Sequence, residues 1–121
     1  MRPEEFYLRD ILFACKSAKD FAGEIDRATF KTSLLYQAAI QFNLLIMGEA
    51  AGSVSRGLKS RHPEVEWRSL SEFRNVLAHD YFALDLDVVW DSAVNNAVTI
   101  SGQIREILHT EFPDFAVPED I

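Results

Sequence analysis

At 121 residues, with 48% hydrophobic and 26% charged side chains, the chain is expected to fold as one domain over residues 1–121, and disorder is excluded. Its single cysteine, Cys15, rules out an internal disulfide, and the scattered His62, His79 and His109 have no zinc spacing, so a reducing cytoplasm suits it. Apolar runs such as Ile11 to Cys15 are too short to cross a membrane, and a net charge of −7 argues against a protein that coats nucleic acid.

From Phe6 to Ala22, Leu8, Ile11, Leu12, Cys15, Ala18 and Ala22 recur at three and four residues, the period of one helix face. After a turn at Gly23 to Asp26, a second helical pattern runs from about Thr29 to Ser53, with Leu35, Ala38, Ala39, Phe42, Leu45 and Ile46 as its apolar face. Ser53 to Glu66 holds Gly57 and Pro63 and reads as a loop with at most one short turn. Ser69 and Glu72 have capping-box spacing, which predicts a helix through Phe73, Val76 and Leu77, ending near His79 or Asp80. Asp85 or Asp87 can cap a last long helix, whose Val89, Trp90, Ala93, Ala97, Ile100, Ile104, Ile107 and Leu108 share one side before Pro113. An acidic, mobile tail follows from about residue 113. No alternating strand pattern, repeat or low-complexity tract occurs, so the expected fold is all-α: an antiparallel bundle of four main helices, with a short fifth as a variant.

The charge is unevenly spread. Between Arg56 and His79, five basic residues (Arg56, Lys59, Arg61, Arg68, Arg74) face three acidic ones (Glu64, Glu66, Glu72), a local +2 that leaves −9 for the rest. Any RNA contact is expected in that window.

The same window ends in Phe73-Arg74-Asn75-Val76-Leu77-Ala78-His79-Asp80-Tyr81, which gathers a permanent cation, an amide, an imidazole and a phenol. An imidazole exchanges protons near neutrality, as cleavage at a 2′-hydroxyl requires, and a guanidinium forks a phosphate and steadies its developing charge. Asn75 suits either orienting His79 or binding a phosphate oxygen. No carboxylate cluster nearby resembles a magnesium site, so no metal and no cofactor are expected, and the product would be a 2′,3′-cyclic phosphate. At about 100° per residue, Asn75 and His79 share a helix face while Arg74 and His79 diverge by roughly 140°. Either the backbone swings at the helix end or a symmetric partner completes the site.

This segment resembles the R-x4-6-H signature of HEPN domains, in the R-N-x-x-x-H-x-Y form of the HepT-like toxins. The likeness extends to Arg9-Asp10-Ile11-Leu12, Gly48-Glu49-Ala50-Ala51, His62-Pro63-Glu64-Val65-Glu66-Trp67, Tyr81-Phe82 and Asp87-Val88-Val89-Trp90. It implies a four-helix HEPN bundle, a homodimer with the two motifs facing a shared cleft, ribonuclease activity, and neutralisation by an MntA-like nucleotidyltransferase antitoxin. Carried onto this chain, it makes Arg74 and His79 catalytic, Asn75 their polar companion, and Tyr81 the phenol that the antitoxin adenylylates.

Two other readings compete: a non-catalytic HEPN module that binds nucleotide or docks onto a nucleotidyltransferase, and a plain helical dimerisation domain. A docking module has no need of an acid-base group beside an arginine, which favours the ribonuclease. Glu49 reads as a partly exposed carboxylate near a helix end, Trp67 and Trp90 as core or interface anchors, Cys15 as a buried hydrophobe, and His62 and His109 as surface residues.

Overall fold

A computed structural model describes residues 2–79 and 84–118, and among these every regular element is helical. The helices are α1 (Glu4–Ala22), α2 (Arg27–Thr32), α3 (Leu34–Ser53), α4 (Arg56–Arg61), α5 (Trp67–His79), α6 (Leu86–Asp91) and α7 (Ala97–Glu111), with a π-helical stretch, Ser92–Asn96, joining the last two. Helices α1 and α3 form the central pair; α5 packs on α3, and α7 packs on α1. The four long helices therefore make the expected bundle, and the short ones serve as connections.

Helix α1 buries the whole predicted stripe from Leu8 to Ala22, and the last helix buries all eight of its predicted residues. Both are one-sided, so their periodicity leaves one choice of face. Asp85, not Asp87, caps the last helix, its Oδ1 accepting from the Asp87 amide at 2.9 Å. The tail turns back at Phe112, and Phe115 meets the Phe6 ring edge-on at 5.3 Å between centroids.

Four expectations need correction. The second helix is two helices, because Ser33 adopts an extended backbone (φ −104°, ψ 105°) and its side chain accepts from the Tyr36 amide to start α3 afresh. Its buried side is also a different one. Ile40, Leu44, Met47, Gly48, Ala50 and Ala51 are inside, while Leu35 and Phe42 are 74% and 61% exposed. Helix α3 is apolar nearly all round, so the sequence pattern could not choose between its sides. The loop after Ser53 contains α4, started by Ser55 accepting from the Leu58 amide at 3.2 Å. Finally, α5 starts at Trp67, which leaves Ser69 inside its first turn, and Glu72 pairs with Arg68 at 3.1 Å instead of completing a capping box.

Candidate functional site

Helix α5 carries Arg74, Asn75 and His79. Leu70 and Leu77 are buried on one side of it, which leaves Asn75 and His79 exposed and Arg74 half-buried beside α3. The two helices approach closely at Gly48. A Cβ there would lie 2.5 Å from the Arg74 Cβ and 3.1 Å from the Leu70 carbonyl oxygen, so only a residue without a side chain lets α5 sit where it does.

The Arg74 side chain is held on two sides. Its Nε donates to Glu49 Oε1, and Nη2 makes an ion pair with the same oxygen. Its Nη1 donates to Asn75 Oδ1 at 3.0 Å. A guanidinium has five N–H groups, so one on each terminal nitrogen remains uncommitted among the described residues. Those are the donors a phosphate would meet.

The structure joins Arg74 to Asn75 and Glu49, but not to His79. Helix α5 stays regular through His79, so the backbone does not swing before the imidazole, and the two side chains leave the helix on different sides. Asn75 commits its Oδ1 to Arg74 and makes no hydrogen bond to His79. Tyr81 lies outside the described residues, as does Asp80. Glu49 is exposed, as expected, but its bond to Arg74 was not legible; the signal was the Gly-Glu pair near the end of α3, which has meaning only once α5 is placed beside it.

The basic window is largely neutralised. Arg61 pairs with Glu111 at 2.7 Å, Arg68 with Glu72 and Arg74 with Glu49, which leaves Arg56 and Lys59 without a carboxylate among the described residues. His62, expected at the surface, is only 16% exposed in its side chain and touches Glu111 and Glu64. His109 is exposed as expected. Trp67 and Trp90 are buried, with the Trp90 ring 5.4 Å from that of Phe30. Cys15 is buried against Met47, and burial pushes its thiol up to about 12, so it is no nucleophile.

A cavity of about 580 Å³ opens between α5 and the last helix and is lined by Phe73, Ser92, Asn96 and Gln103 among others, but not by Arg74, Asn75 or His79. Volume and motif chemistry thus point to different places. The motif carries the stronger argument, since it combines an exposed imidazole with a guanidinium that keeps uncommitted donors. No group of three or more His, Cys, Asp or Glu among the described residues is placed to hold a metal ion, and no described helix is long and apolar enough to cross a membrane.

Comparison with known proteins shows the family. A family model described as "Ribonuclease HepT-like" matches residues 11–107, which include Arg74, Asn75, His79 and Tyr81. The chain is 30% identical to "Probable ribonuclease HepT" of Thermococcus cleftensis over 88% of its own length and 96% of the relative's. It is 28% identical to "Putative RNase MJ0127" of Methanocaldococcus jannaschii over 84% of each chain. It is also 25% identical to "Putative RNase TTE0752" of Caldanaerobacter subterraneus, over 92% of this chain and 99% of that one. No solved structure matches significantly.

Proposed function

The chain belongs to the HepT-like ribonuclease family, and from that premise we propose that it is a metal-independent endoribonuclease toxin, acting as a homodimer in the cytoplasm and restrained by a nucleotidyltransferase antitoxin. The observation that carries this reading is Arg74. Its guanidinium is held at the protein surface with donors to spare, five residues before an exposed imidazole on the same helix and within the span shared with the family.

In the proposed reaction His79 takes the proton of a 2′-hydroxyl, and the resulting oxygen attacks the adjacent phosphorus. The bond from phosphorus to the 5′ oxygen breaks, that oxygen takes a proton from a protonated His79 or from water, and a 2′,3′-cyclic phosphate and a 5′-hydroxyl result. Arg74 stabilises the extra charge on the non-bridging oxygens as the phosphorus becomes five-coordinate. Because α5 is regular through His79, Arg74 and His79 of one chain diverge, and a second copy supplies the natural way to bring one of each to a single phosphate. The exposed Leu34, Leu35 and Phe42 on α3 give that copy an apolar surface to cover. Adenylylation of Tyr81, two residues beyond His79, would bring negative phosphate to this site and fill it, which is the proposed route of neutralisation.

The test is incubation with RNA in the presence of EDTA. The wild type is expected to cleave, leaving 2′,3′-cyclic phosphate ends, while His79→Ala and Arg74→Ala each lose about 10²–10⁴-fold in rate and keep their helical circular dichroism. Arg74→Lys is expected to be nearly as poor, since an ammonium cannot form the fork. Co-expression with the cognate nucleotidyltransferase should add AMP mass to the wild type and none to Tyr81→Phe. Equal cleavage by the wild type and His79→Ala would remove the catalytic assignment, and no cleavage at all would leave the nucleotide-binding or docking module. Full neutralisation of Tyr81→Phe would show that the antitoxin acts by binding alone.

A further inference from the structure

Placing a glutamate against the arginine of a phosphate site is costly on electrostatic grounds. The carboxylate repels the incoming RNA and lowers the positive charge that the site presents. Glu49 nevertheless meets Arg74 through Nε and Nη2, one whole edge of the guanidinium, and Asn75 takes Nη1. The long arginine side chain has several rotatable bonds, and left free it would point its fork at a phosphate only part of the time. Here three features remove that freedom: the bare backbone of Gly48, against which the root of the side chain lies, the Glu49 carboxylate along one edge, and the Asn75 carbonyl at the far nitrogen.

We propose that Glu49 is a positioning residue, which gives up some affinity for RNA to hold the Arg74 guanidinium by one edge so that its remaining donors meet the phosphate in the transition state. The inference rests on the ribonuclease reading above. It separates two quantities that a merely structural carboxylate would leave together. Without Glu49 the site is more positive, so the substrate binds better, yet the fork is less often aligned, so the chemical step is slower. A glutamine keeps an oxygen to accept from Nε and loses only the charge.

The experiment measures kcat and KM on a short RNA for the wild type, Glu49→Ala and Glu49→Gln, alongside NMR of the arginine Nε–H groups, with Arg74→Lys identifying the Arg74 resonance. Glu49→Ala is expected to lower kcat by up to about 10²-fold while KM falls. Glu49→Gln should keep most of kcat and also lower KM. In the wild type the Arg74 Nε–H should exchange slowly with water, and in Glu49→Ala it should exchange as fast as a solvated arginine. A kcat for Glu49→Ala equal to or above that of the wild type would overturn the proposal, and so would a raised KM. An Arg74 Nε–H that already exchanges freely in the wild type would overturn it as well. If the wild type cleaves no RNA, the ribonuclease reading fails, and the exchange measurement still decides whether Glu49 holds Arg74.

Discussion

Gly48 sets the distance between the two helices that meet at Arg74. An alanine there would gain about 1 kcal/mol of helix propensity. Against that, its methyl would lie 2.5 Å from the Arg74 Cβ and 3.1 Å from the Leu70 carbonyl oxygen, and neither atom can move without moving α5. Overpacking of this kind costs about 1–3 kcal/mol, so steric cost wins. Gly48→Ala is expected to lower stability in urea unfolding, and to lower RNase activity beyond what its folded fraction explains, because Arg74 moves with α5. Gly52 is the control on the same helix: a Cβ there meets nothing within 4 Å, so Gly52→Ala should hold or raise stability and leave activity intact. Equal behaviour of the two alanines would show that close helix approach is not what Gly48 provides.

Between elements, the end of α7 is tied to the connection that leads into α5. Arg61 donates to Glu111 through Nε at 3.2 Å and Nη2 at 2.7 Å, His62 contacts the same carboxylate, and the Trp67 indole donates to the His62 carbonyl at 2.9 Å. Arg61 first, and His62 after it, hold the Glu111 carboxyl down from an ordinary 4.5 to about 2. A carboxylate depressed in the folded state stabilises the fold above its unfolded value and loses that contribution as it is protonated. Stability should therefore fall as pH drops from about 4.5 towards 2, and Glu111→Gln should remove that part of the acid dependence. Thermal melts followed by circular dichroism across this range would read it, and an unchanged acid limb in Glu111→Gln would mean that the tie contributes little.

For the whole molecule, the unusual feature is that α3 is apolar on two sides. One side, from Ile40 to Ala51, packs into the bundle. The other leaves Leu34 80% and Leu35 74% exposed and runs on to Phe42 and a small groove lined by Ala38, Gln41, Leu45 and Leu77. Gln41 is buried there with its Oε1 lacking a hydrogen-bond partner among the described residues. Leu77 belongs to the helix of Arg74 and His79, so a second copy covering this face would also bring two such helices near each other. Phe42→Asp is expected to turn the proposed dimer into a monomer by light scattering at micromolar concentration, and to abolish cleavage while α-helical content is retained. Val98, about half exposed on α7, is the control, and Val98→Asp should leave the dimer whole. A monomeric wild type with full activity would rule out a shared site.

The sequence by itself determined the helices whose polarity is one-sided, and the catalytic candidates that share one helix. Leu8 to Ala22 and Val89 to Leu108 announce their buried stripes because polar residues occupy their other faces, and Arg74, Asn75 and His79 are related by local helical geometry. Tertiary structure alone decided which side of α3 is core, since a helix apolar all round gives periodicity nothing to discriminate. It also decided that His62 is a largely buried partner of Glu111, and that Gly48 and Glu49 belong with Arg74. The two carboxylate contacts join residues 49 and 25 positions apart. Spacing along a chain reports what one helix turn brings together, whereas a glycine's lack of bulk or a carboxylate's partner has meaning only where a second helix lies against it.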